Sequence, residues 1–181
     1  MGFGAYIGMS HDKDLGVIVL ANTTNVGLPD AIGEWILDRL MGNPDIHHVA
    51  AKLAAAQAAE AARSALFAKP PKPRPTPPLA PFVGTFVNPI FGKATVAETD
   101  AALSVTFADT GSKVKFEPWD GDVFTVSLVP EGRMAAVAAN LGPQPVGFAQ
   151  FQIDPKGKLN LLRLSIEDYR VANQSYLFER E

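Results

Sequence analysis

Residues 10–13, Ser-His-Asp-Lys, hold a Ser-x-x-Lys spacing. In that arrangement a lysine amine takes the hydroxyl proton of a serine and makes its oxygen a nucleophile for acyl transfer. The chemistry requires a helix, because there the two side chains share a face one turn apart. The flanks here are strand-like: Phe3 to Met9 is apolar and interrupted by glycine, and Leu15 to Ala21 reads LGVIVLA. Ser10 and Lys13 are therefore assigned to a hairpin turn without a catalytic role. At ordinary residue frequencies about one such pair arises by chance in a chain this long.

Other chemically capable residues are few. His11, His47 and His48 show no ligand spacing with an acidic partner, and cysteine is absent. These residue types predict no metal site, thiol nucleophile, disulfide or cofactor, and the histidines are expected in solvent. Glu117, Asp120 and Asp122 offer carboxylates of the kind glycoside hydrolysis uses, but Trp-Asp-Gly-Asp is better explained as a tight turn. Phe107, Phe116, Trp119, Phe124, Phe148, Phe151, Tyr176 and Phe178 either line an apolar ligand cavity or fill a core. The core is preferred, because aromatic residues on strands bury large areas without a ligand. The glycines of GFGAYIG do not open a helix after a strand and so make no phosphate loop.

The elements that must carry these residues fall into three segments. LGVIVLA is apolar at every position, which fits a strand covered on both faces. Leu28 to Met41 has Pro29 in its first turn and ends at Gly42-Asn43-Pro44, which predicts a helix. Ile32, Trp35, Ile36 and Leu40 form its apolar stripe and are expected to cover one sheet face. Nothing before Phe3 is present to cover the other, so residues 1–45 are read as the last piece of a larger domain. Ala50 to Ala68 is alanine-rich with a thin apolar face and reads as a connecting helix. Lys69 to Pro81, KPPKPRPTPPLAP, has seven prolines in thirteen positions and is expected to run as an extended spacer. From Phe82 to Phe178, short segments including ATVAE, LSVTFA, KVKFEPW, DVFTVSLV, RMAAVAA, GFAQFQI and SYLFER are punctuated by Gly, Pro, Asn and Asp. That rhythm predicts an antiparallel all-β sandwich or barrel.

Composition is that of a globular protein, with 181 residues and a formal net charge of -3. No run of Lys and Arg carries interleaved aromatics, so nucleic-acid binding is not expected. No stretch reaches the roughly 20 apolar residues of a membrane span, and the N-terminus lacks the pattern of an export signal.

The order GFGAYIGM, HDKDLGVIVLANTTN and an amphipathic helix ending DRLMG resembles the C-terminal end of the serine β-lactamase-related family. That family takes in class C-like β-lactamases, esterases and serine peptidases of the penicillin-binding-protein fold. LAPFVGTFVNPIFGKATV and FEPWDGDVFTVSL resemble the lipocalin-like C-terminal β domain of peptidase relatives. The resemblance implies that the catalytic Ser-x-x-Lys helix, the Tyr-x-Asn element and the Lys/His-Thr-Gly strand lie upstream of Met1. Within the chain, Tyr169 and Asn173 do not have the Tyr-x-Asn spacing. The resemblance also sets Asn22 and Asn25 on the rim of a substrate site. No catalytic residue is assigned.

The expected fold is an α+β fragment followed by an all-β antiparallel lipocalin-like barrel. Its fragment comprises two antiparallel strands plus the terminal helix of a β-lactamase-like sheet, residues 1–45. Residues 46–81 form the helical and Pro-rich linker, and 82–181 the barrel. The expected function is a non-catalytic accessory portion of a serine hydrolase that packs on or gates the catalytic domain or mediates assembly. A stand-alone small-molecule-binding module and one half of a split enzyme are the alternatives. Partners would be the parent catalytic domain or a second copy, with a small apolar ligand in the barrel as a further expectation. Relatives are often periplasmic or secreted, and the location of this chain is left open.

Overall fold

In a computed structural model, which describes residues 3–22, 27–168 and 171–181, the chain divides into two compact units, Met1–Leu66 and Phe67–Glu181. The fold is an α+β piece followed by an all-β antiparallel barrel.

In the first unit, β1 (Gly4–Ser10) and β2 (Leu15–Ala21) form a two-stranded antiparallel sheet. Ser10 is the last residue of β1, paired with Leu15, and Lys13 lies in the turn between the strands, where His11–Lys13 is a single 3-10 turn and Asp14 closes it with φ 48°. Alternation along the two strands puts Tyr6, Gly8, Val17 and Val19 on one face, and α1 (Leu28–Met41) packs against it.

The helix has the bounds the sequence predicts but a different buried stripe. Pro29, Ala31, Gly33 and Leu37 are buried, whereas Trp35 and Leu40 are exposed. The reason is Tyr6. Its ring lies on Gly33, where an added Cβ would fall 2.0 Å from Cδ1, so the small residues of α1 must turn inward. Trp35 points outward, and its indole donates to Asp45 Oδ1 at 3.2 Å.

A second helix, α2 (His48–Leu66), contains no buried residue. It is held to α1 at its N-terminal end by His48 and Lys52. Among the described residues no helix is long and apolar enough to cross a membrane.

The second unit is a closed barrel. Its strands are β3 (Gly84–Asn88), β4 (Gly92–Thr99), β5 (Ala102–Phe107), β6 (Lys113–Asp120), β7 (Val123–Leu128), β8 (Gly147–Ile153), β9 (Leu159–Asp168) and β10 (Val171–Arg180). Each pairs with its sequence neighbour, and β10 closes on β3 at Glu179↔Val87 and Arg180↔Phe86. An up-and-down barrel of this kind has no free edge. Every second residue points inward: Phe86, Ala94, Val96, Leu103, Val105, Val114, Phe116, Phe124, Val126, Ala149, Phe151, Leu162, Leu164 and Phe178 make one core.

RMAAVAA, expected as a strand, is instead a 3-10 turn at Gly132–Met134 followed by the helix α3 (Ala135–Leu141). Its alanines favour helix over sheet.

The proline-rich stretch lies along the barrel as a strap. Phe67 is buried, and its ring meets Phe148 at 5.1 Å. The Trp119 indole donates to the carbonyls of Phe67 and Ala68. The Arg74 backbone N–H donates to Asp120 Oδ1, the Arg74 guanidinium reaches Oδ2 at 3.1 Å, and Gly121 N–H donates to Arg74 O. Phe82 then turns in and stacks on Phe151 at 4.5 Å, closing that end of the barrel.

The Arg74 backbone N–H, and next the Arg74 guanidinium, hold the Asp120 carboxyl below the usual carboxylate range. A depressed folded-state value stabilises the docked strap above the ordinary carboxylate pKa, and that stabilisation is lost as pH falls through the lowered value. Trp119 fluorescence, followed in a Trp35→Phe background, is therefore expected to shift only below about pH 4. Asp120→Ala should abolish the transition. A midpoint near neutrality, or an unchanged curve in Asp120→Ala, would contradict this account.

Candidate functional site

The positions singled out for catalysis do not converge. Ser10 ends β1 and Lys13 sits in the β1–β2 turn, and no hydrogen bond or ion pair joins their side chains among the described residues. Asn22 is exposed, just after β2. Asn25 and Tyr169 lie outside the described residues.

His48 is not in free solvent as the sequence suggested. It is half-buried, with Nε2 2.6 Å from Asp38 Oδ2 and Nδ1 3.3 Å from Glu34 Oε2. Hydrogen bonds from Asn43, and next from His48, hold the Asp38 carboxyl below its ordinary value. This cluster pins α2 to α1. Among the described residues no group of His, Cys, Asp and Glu could hold a metal ion. Glu117, Asp120 and Asp122 serve structural contacts, to Lys115, Arg74 and Gln150 respectively.

The barrel's aromatic residues separate into three groups. Phe116, Phe124, Phe151 and Phe178 are buried in the core, as their types predict. Trp119 and Phe148 pack on each other at 5.0 Å, beside Phe67 of the strap. Phe107 and Tyr176 stand at the barrel end opposite Phe82, where they line a cavity of about 310 Å³.

The walls of that cavity are apolar, with Leu128, Val146, Leu164 and Ile166 among them, and Met134 from the 3-10 turn at its edge. Phe91 completes the rim because Asn88 holds the β3–β4 turn: its Oδ1 accepts from the backbone N–H groups of Ile90 and Phe91, while its Nδ2 donates to Leu177 O. Phe91 meets Tyr176 edge-on at 4.7 Å. Gly92, at φ 66°, leaves room for Asp109, whose carboxylate an added Cβ would strike. Asp109, Thr110 and Ser112, from the β5–β6 turn, are the polar side of the mouth. A larger, shallower groove of about 920 Å³ lies at the other end, between the strap prolines and the β8–β9 turn.

Sequence reasoning named Phe107 and Tyr176 but not Phe91, Asp109 or Met134. The Asn88-Pro89 and Gly92 of the GKATV stretch were the local signal for the first two, since they shape the turns on which Phe91 and Asp109 sit.

Residues 68–180 match the family model described as a domain of unknown function, DUF3471. This chain belongs to the DUF3471 family. The matched residues run from the strap to the end of β10, so the DUF3471 domain here comprises the barrel together with its proline-rich strap. Among solved structures, the chain is similar to the C-terminal domain of penicillin binding protein Rv0907, at 28% identity over 62% of this chain and 93% of that one, with a TM-score of 0.45. No curated protein matches the chain.

Proposed function

We propose that the chain is the C-terminal, non-catalytic portion of a serine β-lactamase- or peptidase-like hydrolase. In this reading β1, β2 and α1 complete a larger sheet, and the DUF3471 barrel is an accessory domain that packs on or gates the catalytic domain or mediates assembly. One observation carries it: the hairpin face turned away from α1 is bare. Phe3, Ile7, Met9, Ile18 and Leu20 are 79%, 69%, 77%, 68% and 75% exposed. Both outer edges of the two-stranded sheet are also unpaired among the described residues. α1 covers only one face of the hairpin, and the contiguous apolar patch on the other marks a surface made to be covered. The motif order GFGAYIGM, LGVIVLAN and the helix ending DRLMG supports a β-lactamase-like sheet as the cover.

The same reading assigns the Ser10 turn no chemistry. Acyl transfer needs a nucleophile, a base and oxyanion donors held together, and among the described residues no hydrogen bond joins the Ser10 side chain to a base. Hydrolysis of p-nitrophenyl acetate and of a chromogenic cephalosporin by the chain is expected at the buffer rate, with Ser10→Ala indistinguishable. Turnover that disappears in Ser10→Ala would overturn the assignment.

A further inference from the structure

The barrel mouth is built unlike the interior beneath it. Phe86, Phe116, Phe124, Phe151 and Phe178 fill the middle, whereas about 310 Å³ at the mouth is free and walled by apolar side chains. A dry apolar cavity of about 150 Å³ already accepts benzene. Scaled from benzene's six carbons, the mouth takes an apolar body of roughly ten to twelve carbon atoms.

Polar side chains enter from the β5–β6 turn, where Ser112 N–H donates to Thr110 Oγ1 at 3.2 Å, and from β10, where the Tyr176 hydroxyl donates to Gln174 Oε1. Among the described residues lining the cavity, Asp109 is the only charged one, and its carboxylate makes no hydrogen bond or ion pair. Lys113, the cation nearest in sequence, is committed to Glu131 at 3.0 Å. Asp109 is exposed, so water screens its charge; a carboxylate guest would still meet a like charge, while an ammonium would gain a modest charge-assisted hydrogen bond.

The geometry points to a binding site at the barrel mouth for a small molecule with an apolar body and one hydrogen-bond-donating, cationic end, an alkyl or aryl amine, seated at Asp109. It stands independently of the accessory role of the chain.

The test is a fluorescence titration of the full chain with N-phenyl-1-naphthylamine, followed by displacement with decylamine, decan-1-ol and decanoate. Saturable binding is expected, with displacement strongest by the amine, weaker by the alcohol and weakest by the carboxylate. Asp109→Asn should remove the amine's lead over the alcohol, about two- to fivefold, and leave the alcohol unchanged. Filling the mouth with Met134→Trp should weaken the probe at least about tenfold. Leu128→Phe gives the same reading if Met134→Trp alters the circular dichroism spectrum. Repeating the titration on Ile7→Lys/Ile18→Glu separates the mouth from the bare hairpin face: a signal kept there supports the site. Decanoate displacing as well as decylamine, binding unchanged in both mouth-filling variants, or a signal lost with the hairpin substitutions would overturn it.

Discussion

Gly147→Ala is expected to destabilise the barrel by about 3 kcal/mol or more and to lower its melting temperature by about 10–20 °C. Gly147 faces Ile166 across the β8–β9 ladder, and a Cβ there would fall 2.0 Å from the carbonyl oxygen of Ser165 and 3.0 Å from Ile166 Cα. Both obstacles are backbone, so no side chain can swing aside. Two strands of a closed barrel would have to separate, and in a ring each strand's displacement passes to its neighbours. Gly157→Ala is the control. Gly157 has φ 78° and nothing within 4 Å of its added Cβ, so it carries only the cost of a left-handed residue, about 1 kcal/mol. Thermal unfolding followed by circular dichroism decides the matter. Equal losses in the two variants would mean that the close approach at Gly147 is not what fixes the register.

The second large effect concerns the bare hairpin. Ile7 and Ile18 are register partners on the exposed face. Burying five such side chains on each of two copies contributes about 15 kcal/mol or more, against an association cost of roughly 4–15 kcal/mol. The balance favours self-association of the isolated chain, reinforced by two unpaired edges. Ile7→Lys with Ile18→Glu places opposite charges directly across the strands and should return the protein to its 19.3 kDa monomer mass in light scattering. Barrel melting should not change. A chain that stays monomeric at roughly 100 µM, with net association worth less than about 5.5 kcal/mol, would remove the main support for the accessory reading.

Much of this architecture was legible from residue types. The rhythm of short segments such as ATVAE, LSVTFA and KVKFEPW between turn residues predicted strands that the barrel contains, and Pro29 and Gly42 marked both ends of α1. The failures share a cause. The face that α1 buries is chosen by the Tyr6 ring lying on Gly33, a contact between distant residues that helical periodicity does not contain. RMAAVAA has apolar spacing compatible with either period, and alanine propensity settled it. The candidate site was legible only in its ingredients. Which aromatics fill the core, which anchor the strap and which rim the mouth depends on the closure of β10 on β3, which brings Tyr176 to Phe91. That information is in the register rather than in any local pattern.

The strap has a consequence for the order in which the molecule assembles. Arg74 finds its partner in Asp120, 46 residues later in the chain. Hairpins such as β6–β7 close over short loops and form early, while long loops close late. The prolines, first of the DUF3471 domain to leave the ribosome, therefore have nowhere to settle until the turn at Gly121 has been synthesised and formed. They cannot dock before that turn exists, just as the ring cannot close before β10 has been made to meet β3.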